Sequence, residues 1–423
     1  MATINIPQIR FKGFEGEWEK KIFEDICTFG NGYTPSKAID EYWENGTLPW
    51  YRMEDIRENG RILKDSIQHI TPKAVKGKLF PANSIIMSTT ATIGEHALLI
   101  ADSLANQRFT FFIKNVNRYN YDDLFFFYKC YSIGEWCKKN ANAGGLLAVN
   151  MPELKKLGLS FPTSISEQTR IASLFTAIDK QISTSEAKLD KLRTIKKTLL
   201  KKMFAAQGEL TPQIRFKGFD GEWEKKTFSD VFSLYSNYSF SRSQLNENNG
   251  EIKSIHYGDI LIKYGAILDA MKEDIPYLNS DINVPLLSQN FVKDGDIIIA
   301  DAAEDSAVGK CIEIKNIGKR ITLSGLHTIP CRPKIQFGKG FLGHYMNSSA
   351  YHSTLIQIMQ GTKVSSISKK AISKTYLNYT PNISEQTRIA SLFTALDKQI
   401  STSEAKLEKL RTIKKTLLKK MFV

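Results

Sequence analysis

The residues of this chain that could bind a ligand through polar chemistry lie on loops rather than in a catalytic motif. Two short segments, 48–52 and 105–109, combine amide, aromatic and arginine side chains. The candidate contacts in them are Trp50, Tyr51, Arg52, Asn106, Gln107 and Arg108. Arginine can pair with guanine, asparagine or glutamine can pair with adenine, and hydroxyls or backbone amides hold phosphates. A packing role competes with this interpretation, because Trp50 and Phe109 fit a hydrophobic core equally well.

Further candidate contacts lie at strand ends and in glycine-containing loops. They are Thr89, Thr90, Gly144, Gly145, Tyr257, His327, Gly361, Thr362 and Lys363. Hydroxyls and exposed backbone amides at such places suit phosphate binding. A histidine such as His327, next to a strand, is more often hydrogen-bonded within its own domain than used as a base.

No catalytic residue or metal site is predicted. The chain has no phosphate-binding G-x-x-x-x-G-K-[ST], no G-x-G-x-x-G after a strand and no Asn-Pro-Pro-aromatic motif. It also has no G-x-S-x-G and no H-E-x-x-H. Acidic pairs such as Asp122-Asp123 are expected by chance among 44 acidic residues.

Cysteine usage and hydropathy point to the cytoplasm. The five cysteines are odd in number and scattered, and they lack zinc spacing, which favours buried thiols in a reducing compartment. No apolar run reaches the length of a membrane span. We therefore expect a cytoplasmic protein that does not enter a membrane.

The strongest signal in the sequence is an internal repeat. The repeated segments are 7–21 with 212–226 and 165–204 with 383–422. The first pair differs at one position and the second pair at two. Between them lie two inserts, 28–164 and 233–382, that barely resemble each other. A constant frame around two different inserts predicts a protein with two readers of different specificity.

The repeated tail is predicted to be a long helix that needs a partner. Glu167 to Phe204 contains no Gly or Pro, and its apolar residues step by three and four, so it forms a helix of roughly 50–60 Å. Ser164 with Glu167, and Asn382 with Glu385, fit capping boxes. The narrow apolar stripe predicts an antiparallel pair of the two copies, with a globular head at each end and a pseudo-twofold axis. The predicted seam includes Leu189, Leu192, Leu407 and Leu410.

Most of the net charge of +14 lies on the repeated tails. Each tail holds nine Lys and Arg against four acidic residues, a net +5. A basic helix face suits a polyanion or an acidic partner surface, although a solvated face is the alternative. The lysines in question are Lys196, Lys197, Lys201 and Lys202 with Lys414, Lys415, Lys419 and Lys420. Their place at the helix ends favours a protein partner over DNA.

Both inserts are predicted to be mixed α/β. In the first, strands are predicted at 84–89, 97–101 and 108–113, followed by a helix at about 121–140. In the second, strands are predicted at 296–301, 309–314 and 328–331, followed by a helix near 341–359. Short strands separated by Gly, Pro and Asn support this interpretation.

In this order of elements the chain resembles the specificity subunit of a type I restriction–modification system over essentially its whole length. Each half opens with Pro-x-Ile-Arg-Phe-x-Gly-Phe-x-Gly-x-Trp, and each long helix opens with Ile-Ser-Glu-Gln. Residues 50–56 correspond to 257–260, and residues 85–94 to 295–300. Asn106-Gln107 matches the usual pattern of the family before the helix, whereas the second half has Ser324 to His327 there.

The resemblance implies a mixed α/β (α+β) fold. Two globular target-recognition domains would be joined by two long antiparallel coiled-coil helices, with pseudo-twofold symmetry. The implied domains are 1–164 and 208–382 for target recognition, and 165–207 and 383–423 for the helices.

The resemblance also implies a function. Each recognition domain would bind one half of a split double-stranded DNA target, while the helices set the spacer and dock two modification (methyltransferase) subunits. Those partners and the motor/nuclease restriction subunits would carry S-adenosylmethionine, ATP and Mg²⁺, and this chain would hold no cofactor and catalyse nothing. Two other classes remain open: a coiled-coil scaffold whose heads bind protein, and an enzyme with an unrecognised site.

Overall fold

The repeat of the sequence reappears as two units of the computed structural model. Unit 1 takes residues Met1–Glu186 together with Ala405–Val423, and unit 2 takes Ala187–Glu404. The structure describes three ranges, residues 5–142, 147–361 and 365–423. Each unit therefore contains one insert and a section of both long helices.

Unit 1 is built on a five-stranded sheet. The strands of unit 1 are β1 (Glu19–Ile22), β2 (Cys27–Asn31), β3 (Leu48–Tyr51), β4 (Ile62–Leu63), β5 (His69–Ile70), β6 (Ile85–Ser88), β7 (His96–Leu99), β8 (Leu104–Ala105), β9 (Phe109–Lys114), β10 (Ala141–Asn142), β11 (Ala148–Val149) and β12 (Gly158–Phe161). The order of the main sheet is β2-β9-β6-β7-β4. Its middle strand β6 is antiparallel to β9, with Ile86 opposite Phe111. All of β6 is buried, as its continuous apolar run predicts.

The helices of unit 1 cover this sheet and connect it to the long helix. They are α1 (Phe23–Ile26), α2 (Met53–Asn59), α3 (Asp123–Lys139), α4 (Met151–Lys155) and α5 (Ile165–Lys202), with 3-10 turns at Asp40–Tyr42 and Pro72–Ala74. The side chain of Asp122 caps α3 by accepting a hydrogen bond from the backbone N–H of Phe125 at 2.8 Å. Helix α3 buries Phe125 and Phe126 against Trp18 and Phe112, and together they form the core of the unit.

Unit 2 repeats this sheet with different residues. Its strands are β13 (Glu224–Thr227), β14 (Phe232–Leu234), β15 (Leu245–Asn246), β16 (Lys253–Ile255), β17 (Ile267–Asp269), β18 (Tyr277–Leu278), β19 (Ile297–Ala300), β20 (Ala302–Ala303), β21 (Cys311–Lys315), β22 (Thr322–Ser324), β23 (Thr328–Pro333), β24 (Ser365–Ser366) and β25 (Tyr376–Tyr379). The order β14-β23-β19-β21-β17 has the same pattern as the sheet of unit 1. The edge strand is again parallel to its neighbour in each sheet, β4 to β7 and β17 to β21.

The helices of unit 2 depart from the prediction at one point. They are α6 (Phe228–Val231), α7 (Tyr257–Ile262), α8 (Phe341–Met346), α9 (Ser349–Ile356), α10 (Lys369–Ile372) and α11 (Ile383–Met421), with 3-10 turns at Arg242–Gln244 and Ser288–Asn290. The single helix predicted near 341–359 is wrong, because the chain breaks between α8 and α9. The side-chain amide of Asn347 donates to the carbonyl oxygens of Cys311 and Gly343 at 2.8 and 2.7 Å. Ser348 is then extended and begins a new helix.

Each repeated head segment binds the first turn of a long helix through a buried carboxylate. In unit 1 the guanidinium of Arg10 donates to both carboxylate oxygens of Glu167, at 2.7 and 2.8 Å. In unit 2 the guanidinium of Arg215 holds Glu385 at 2.6 and 2.8 Å. In each predicted capping box, the glutamate side chain should accept a hydrogen bond from the backbone N–H of the N-cap residue. This part of the prediction is wrong, because an arginine binds the carboxylate of each glutamate instead. The amide oxygen of Asn382 does cap α11, accepting from the backbone N–H of Glu385 at 3.2 Å.

The two long helices pair in antiparallel orientation. In unit 2, Arg193 of α5 donates to Glu404 of α11 at 2.6 Å, and Lys196 pairs with Asp397. Residues later in α5 contact residues earlier in α11, so the two helices run in opposite directions. The matching pairs of unit 1 are Arg411 with Glu186 at 2.7 Å and Lys414 with Asp179 at 2.6 Å.

The apolar seam between the helices is narrower than predicted. Leu189 and Leu407 are buried, with 5% and 6% exposure. Leu192 and Leu410 are only half-buried. The seam prediction is thus confirmed for the first pair and only partly for the second, because these two leucines lie at the margin of the stripe.

The ends of the long helices enter hydrophobic cores. In unit 1, Phe422 packs on Phe125, Phe175 and Trp18, with ring centroids at 5.3, 5.7 and 6.4 Å. In unit 2, Phe204 packs in the same way on the rings of Phe341, Tyr345 and Phe393. Each core therefore needs the C-terminal flank of a helix that begins elsewhere in the sequence.

We expect Phe422→Ala to destabilise unit 1 by about 3 kcal/mol, because a buried aromatic ring is replaced by a cavity. Urea unfolding followed by tryptophan fluorescence measures this, since Trp18 lies against the deleted ring. The control Lys419→Ala removes an exposed side chain from the same helix and should change stability by less than about 0.5 kcal/mol. Equal unfolding midpoints for the two variants would contradict the packing described here.

Candidate nucleic-acid interface

In unit 1, a polar turn lies between the ends of two strands. The backbone N–H of Asn106 donates to the carbonyl oxygen of Tyr51 at 3.0 Å, which ties the turn to the end of β3. The backbone N–H of Thr89 donates to the carbonyl oxygen of Arg108 at 3.1 Å, which ties it to the end of β6. The turn Asn106–Arg108 is therefore fixed at both ends by backbone hydrogen bonds.

The turn presents two side chains to solvent. Asn106 uses its own amide oxygen to accept from the backbone N–H of Arg108 at 3.1 Å, so it shapes the turn. The side chains of Gln107 and Arg108 are exposed. The hydroxyl of Thr34 donates to the amide oxygen of Gln107, which leaves the amide N–H groups of Gln107 directed away from that contact. Gly32 allows its segment to pass close to the turn, because a Cβ at this position would lie 2.2 Å from the carbonyl oxygen of Asn106.

The two threonines at the end of β6 differ in their exposure to solvent. The hydroxyl of Thr89 is 2.9 Å from that of Thr110 in the buried part of the sheet. Thr90 is half-buried and forms a bridge with Ala148. The neighbouring candidates Gly144 and Gly145 lie outside the described residues.

Trp50 and Tyr51 lie in the core rather than on the surface. Their exposure is 2% and 0%. The indole N–H of Trp50 donates to the carbonyl oxygen of Tyr33 at 2.9 Å, and burial raises the pKa of the Tyr51 phenol. Neither side chain can touch a ligand without unpacking, so the packing interpretation describes both better than ligand contact does.

Arg52 is the accessible member of this segment. It is half-buried, begins α2, and its backbone N–H donates to the carboxylate of Asp55 at 2.6 Å. Its guanidinium lies over the Trp50 ring at 5.9 Å. Among the described residues, the buried Nε of Arg52 has no hydrogen-bond partner. Arg52 is thus oriented by an aromatic face, and its Nε also lies 4.0 Å from the carboxylate of Glu54.

A groove of mixed lining lies in unit 1 next to the start of α2. It encloses about 550 Å³ and is lined by residues that include Arg57, Arg61, Lys138 and Thr92. Arg61 is paired with Glu95. Arg57 is exposed, and Lys138 is shared with Glu135 on the same helix at 2.9 Å. The groove therefore combines cationic side chains with apolar ones such as Met53 and Ile93.

Unit 2 builds the same edge from different side chains. The backbone N–H of Gly325 donates to the carbonyl oxygen of Ile255 at 2.9 Å, and that of Asp301 donates to the carbonyl oxygen of His327 at 3.0 Å. These two bonds match those of the turn in unit 1. By this correspondence His327 takes the place of Arg108, and Asp301 takes the place of Thr89.

His327 is exposed at the surface but held on two sides. Its Nδ1 is 3.3 Å from the Oδ1 of Asp301, and its ring meets Tyr257 edge-on with centroids 5.1 Å apart. Burial raises the pKa of Asp301, an effect that the hydrogen bond from His327 and the charge of Lys369 oppose. The sequence interpretation of His327 as a hydrogen-bonded histidine beside a strand agrees with this geometry.

Sequence reasoning missed three residues of this edge. His256 stands where Arg52 stands in unit 1, since each is the N-cap residue three positions before the matched aspartates Asp55 and Asp259. Burial lowers the pKa of His256. Arg242 donates to the carboxylate of Asp259 at 2.8 Å. The Gly-Asp-Ile motif at 258–260 could have pointed to His256, which lies just before it. No sequence pattern pointed to Arg242 or Asp301.

Gly361, another candidate of unit 2, lies near the strand pair β20 and β24. Gly361 is exposed and follows Gln360, which bridges Ser366. Thr362 and Lys363 lie outside the described residues. Tyr257 is half-buried beside His327.

The described residues hold no candidate metal site and no candidate membrane span. Within residues 5–142, 147–361 and 365–423, no group of three or more His, Cys, Asp and Glu side chains could hold a metal ion. In the same ranges, no helix combines the length and the apolar character that crossing a membrane requires. All five cysteines are free and buried, as their scattered spacing predicted.

Known specificity subunits resemble the chain in sequence. The EcoprrI specificity subunit of Escherichia coli is 39% identical over 255 residues, which cover 59% of this chain and 63% of that relative. The chain thus spans less than two thirds of the length of that relative. The MjaVIII specificity subunit of Methanocaldococcus jannaschii is 23% identical over 413 residues, 95% of this chain and 91% of the relative.

Solved structures show the same fold. The S subunit of a type I restriction–modification system from M. genitalium covers 99% of both chains with a TM-score of 0.60 at 14% identity. A second structure, described as the basis of complex assembly and conformational transition of the type I R-M system, covers 97% of this chain and 99% of its own with a TM-score of 0.56 at 14% identity. These likenesses confirm the predicted mixed α/β class with two repeated domains and long helices.

A family model identifies the chain. The model, described as the type I restriction modification DNA specificity domain, matches residues 15–194 and 220–412, well over half of the sequence. The match falls once on each half of the repeat, as the duplicated frame predicts. The chain belongs to the type I restriction–modification DNA specificity family.

Proposed function

We propose that this chain is the DNA sequence-recognition subunit of a type I restriction–modification complex, in which each unit reads one half of a bipartite double-stranded target. The observation that carries this proposal is the contrast at the two matching turns. Equivalent backbone hydrogen bonds hold Arg108 in unit 1 and His327 in unit 2. A constant frame with different exposed side chains is what two half-sites of different sequence require.

The proposed contacts in unit 1 divide by chemistry. Arg108 has donors that suit guanine, and the exposed amide of Gln107 suits adenine or guanine. Arg52 and the hydroxyl of Thr90 suit phosphate oxygens, which position the protein on the duplex. Asn106 supports the turn, and Thr89 supports the sheet.

The proposed contacts in unit 2 centre on His327 and Tyr257, with His256 and Arg242 beside them. The glycine-containing loops add backbone donors for phosphates. In the second half of the chain this part of the proposal comprises Gly361, Thr362 and Lys363, and in the first half it comprises Gly144 and Gly145.

The long helices are the proposed docking surface for two modification subunits, and their length would set the spacer between half-sites. The two helices have nearly identical sequences, which suits the docking of two copies of one partner. Motor/nuclease restriction subunits would join the same complex. In this proposal the partners carry S-adenosylmethionine, ATP and Mg²⁺, and this chain provides the recognition without catalysis.

Two other functions make different predictions. A coiled-coil scaffold without DNA specificity would show no salt-dependent affinity for DNA. An enzyme with an unrecognised site would cut or modify DNA in the absence of partners. We favour the recognition subunit because the two candidate edges differ at the positions where base contacts are proposed, whereas a scaffold gives no reason for that difference.

We expect the two inserts to act as separate readers. Replacing residues 28–164 by the corresponding segment of a homologue should change one half of the methylated motif and leave the other half unchanged. Methylome sequencing of cells that carry the chimera with its modification subunit measures this. The matched control replaces residues 233–382 and should change the opposite half. A chimera that alters both halves, or neither, would refute separate reading.

We expect the lysines of the long helices to divide into two groups. Lys196 and Lys414 are committed to Asp397 and Asp179. The lysines that are exposed at equivalent positions of both helices are Lys197, Lys201, Lys415 and Lys419. The paired residues Lys196 and Lys414 therefore serve as a control for the exposed group.

Changing the four exposed lysines to Gln should weaken binding of the modification subunit, measured by analytical ultracentrifugation of the mixed subunits. The salt dependence of DNA binding should stay unchanged. If these lysines bind phosphates instead, the log–log salt slope should fall by about 0.9 for each phosphate interaction removed. The control Lys196→Gln with Lys414→Gln should lower thermal stability while leaving both readouts in place. Normal assembly with an unchanged slope would leave the exposed lysines as a solvated face.

A further inference from the structure

The matching turns place different chemistry at one backbone position. In unit 1, the carbonyl oxygen of Arg108 accepts from Thr89, whose hydroxyl is engaged by Thr110 inside the sheet. In unit 2, His327 is held in the same way by Asp301, and its ring also meets the carboxylate of that residue. Arg108 can only donate hydrogen bonds, whereas an imidazole can donate or accept. What His327 offers to a ligand therefore depends on its neighbours.

The backbone of His327 is in an unusual conformation. Its φ is +50°, in the left-handed region that residues other than glycine rarely adopt. Such a conformation is maintained only where the surrounding structure imposes it, and it is common at binding sites. Here the backbone hydrogen bond to Asp301 and the edge-on contact with Tyr257 hold the residue. The ring of Tyr257 is itself packed against His256, with centroids 4.6 Å apart.

Asp301 determines which ring nitrogen carries the proton. A carboxylate oxygen can only accept, so the Nδ1 of His327, 3.3 Å away, is the donor in this pair. In a neutral imidazole the opposite nitrogen is then an acceptor. The side chain of His327 is 50% exposed, whereas that of Asp301 is 26% exposed. Asp301 therefore fixes the tautomer of His327, whose Nε2 can accept a hydrogen bond from a ligand.

We propose that His327, oriented by Asp301, is a specificity-determining residue of unit 2 that reads an exocyclic amino group in the major groove. In that groove adenine presents its N6 amino group and cytosine its N4 amino group, while guanine and thymine present oxygen acceptors. His327 Nε2 thus selects adenine or cytosine over guanine or thymine at one position of one strand. This inference rests on the proposed function and names what the second edge recognises.

The contrast with unit 1 follows from the same chemistry. Thr89 supplies no carboxylate, and Arg108 presents a guanidinium fork that pairs with the N7 and O6 of guanine. At equivalent positions, unit 1 therefore presents a hydrogen-bond donor and unit 2 presents an acceptor. That difference would give the two half-sites different bases even though the backbone that carries the side chains is the same.

The test uses the full chain in complex with its modification subunits and selects bound duplexes from a randomised DNA library. The selection is run at about pH 8. We expect the wild-type complex to select adenine or cytosine at one position of one half-site by about 5- to 100-fold over guanine or thymine. His327→Ala and Asp301→Asn should each make that same position degenerate and leave the other half-site unchanged.

A transplant sharpens the test. The double variant Asp301→Thr with His327→Arg copies the pair of unit 1, and we expect it to select guanine at the position that became degenerate. Arg108→Ala is the matched control, and it should relax only the opposite half-site. Melting temperatures of all variants show whether unit 2 remains folded, and a folded variant with a relaxed position separates recognition from a purely structural role.

The outcomes distinguish this inference from the proposed function. A wild-type complex that selects no split motif would overturn the proposed function and this inference with it. A wild-type motif that survives unchanged in folded His327→Ala would overturn the inference alone. So would a relaxed position whose wild-type base is guanine or thymine.

Discussion

Phe422 packs among Trp18, Phe125 and Phe175, and the organisation of unit 1 depends on that contact. The ring is supplied by the flank of α11, which begins in the sequence of the second half. Phe204 supplies the equivalent ring in unit 2. A long amphipathic helix cannot bury its own stripe. Each helix instead buries its stripe against the other helix and its end in a core, so neither half of the sequence provides a complete hydrophobic core by itself.

A second constraint is the burial of one carboxylate at the start of each long helix. Glu167 and Glu385 are 1% and 0% exposed. Removing a carboxylate from water is unfavourable unless hydrogen bonds of good geometry replace its hydration. Arg10 and Arg215 provide them, each through two charge-assisted N–H···O contacts to the same carboxylate. The guanidinium of each arginine also donates to a glycine carbonyl of its own segment, that of Gly16 and that of Gly221.

This requirement gives a physical reason for the near identity of the repeated head segments. The arginine, the turn that accepts from it and the glutamate of the helix form one contact set, and a change in one member would leave a buried charge unpaired. The frame can therefore vary little. The side chains of the turns at Asn106–Arg108 and Gly325–His327 are carried by a backbone that its own hydrogen bonds hold in place. The exposed side chains of Gln107, Arg108 and His327 can change without loss of these backbone hydrogen bonds, which is the property that a reader of DNA sequence needs.

The sequence by itself determined the repeat, the family, the central strands of both sheets and the two long helices. These follow from local pattern: continuous apolar runs, the 3.6-residue period and duplicated motifs are properties of neighbouring residues. The antiparallel pairing also followed, because a long stripe with an identical copy has an obvious partner. The predictions of the capping boxes and of one helix failed because a residue distant in sequence bound the segment concerned. Arginines more than 150 residues away along the chain took Glu167 and Glu385 from their predicted capping role, and Asn347 divided a predicted helix by binding a neighbouring strand.

Only the tertiary structure separated buried from accessible residues among the candidate contacts. Trp50 and Arg52 are two positions apart, yet one lies in the core and the other at the surface. Composition cannot distinguish these cases, since burial depends on which distant strand or turn covers a side chain. The same reason hid the pair of His327 and Asp301, which are 26 residues apart in sequence and 3.3 Å apart in the fold. The sequence determined that two readers share one frame, and the tertiary structure decided which side chains each reader presents, because exposure and hydrogen-bond polarity arise only when segments distant along the chain are packed together.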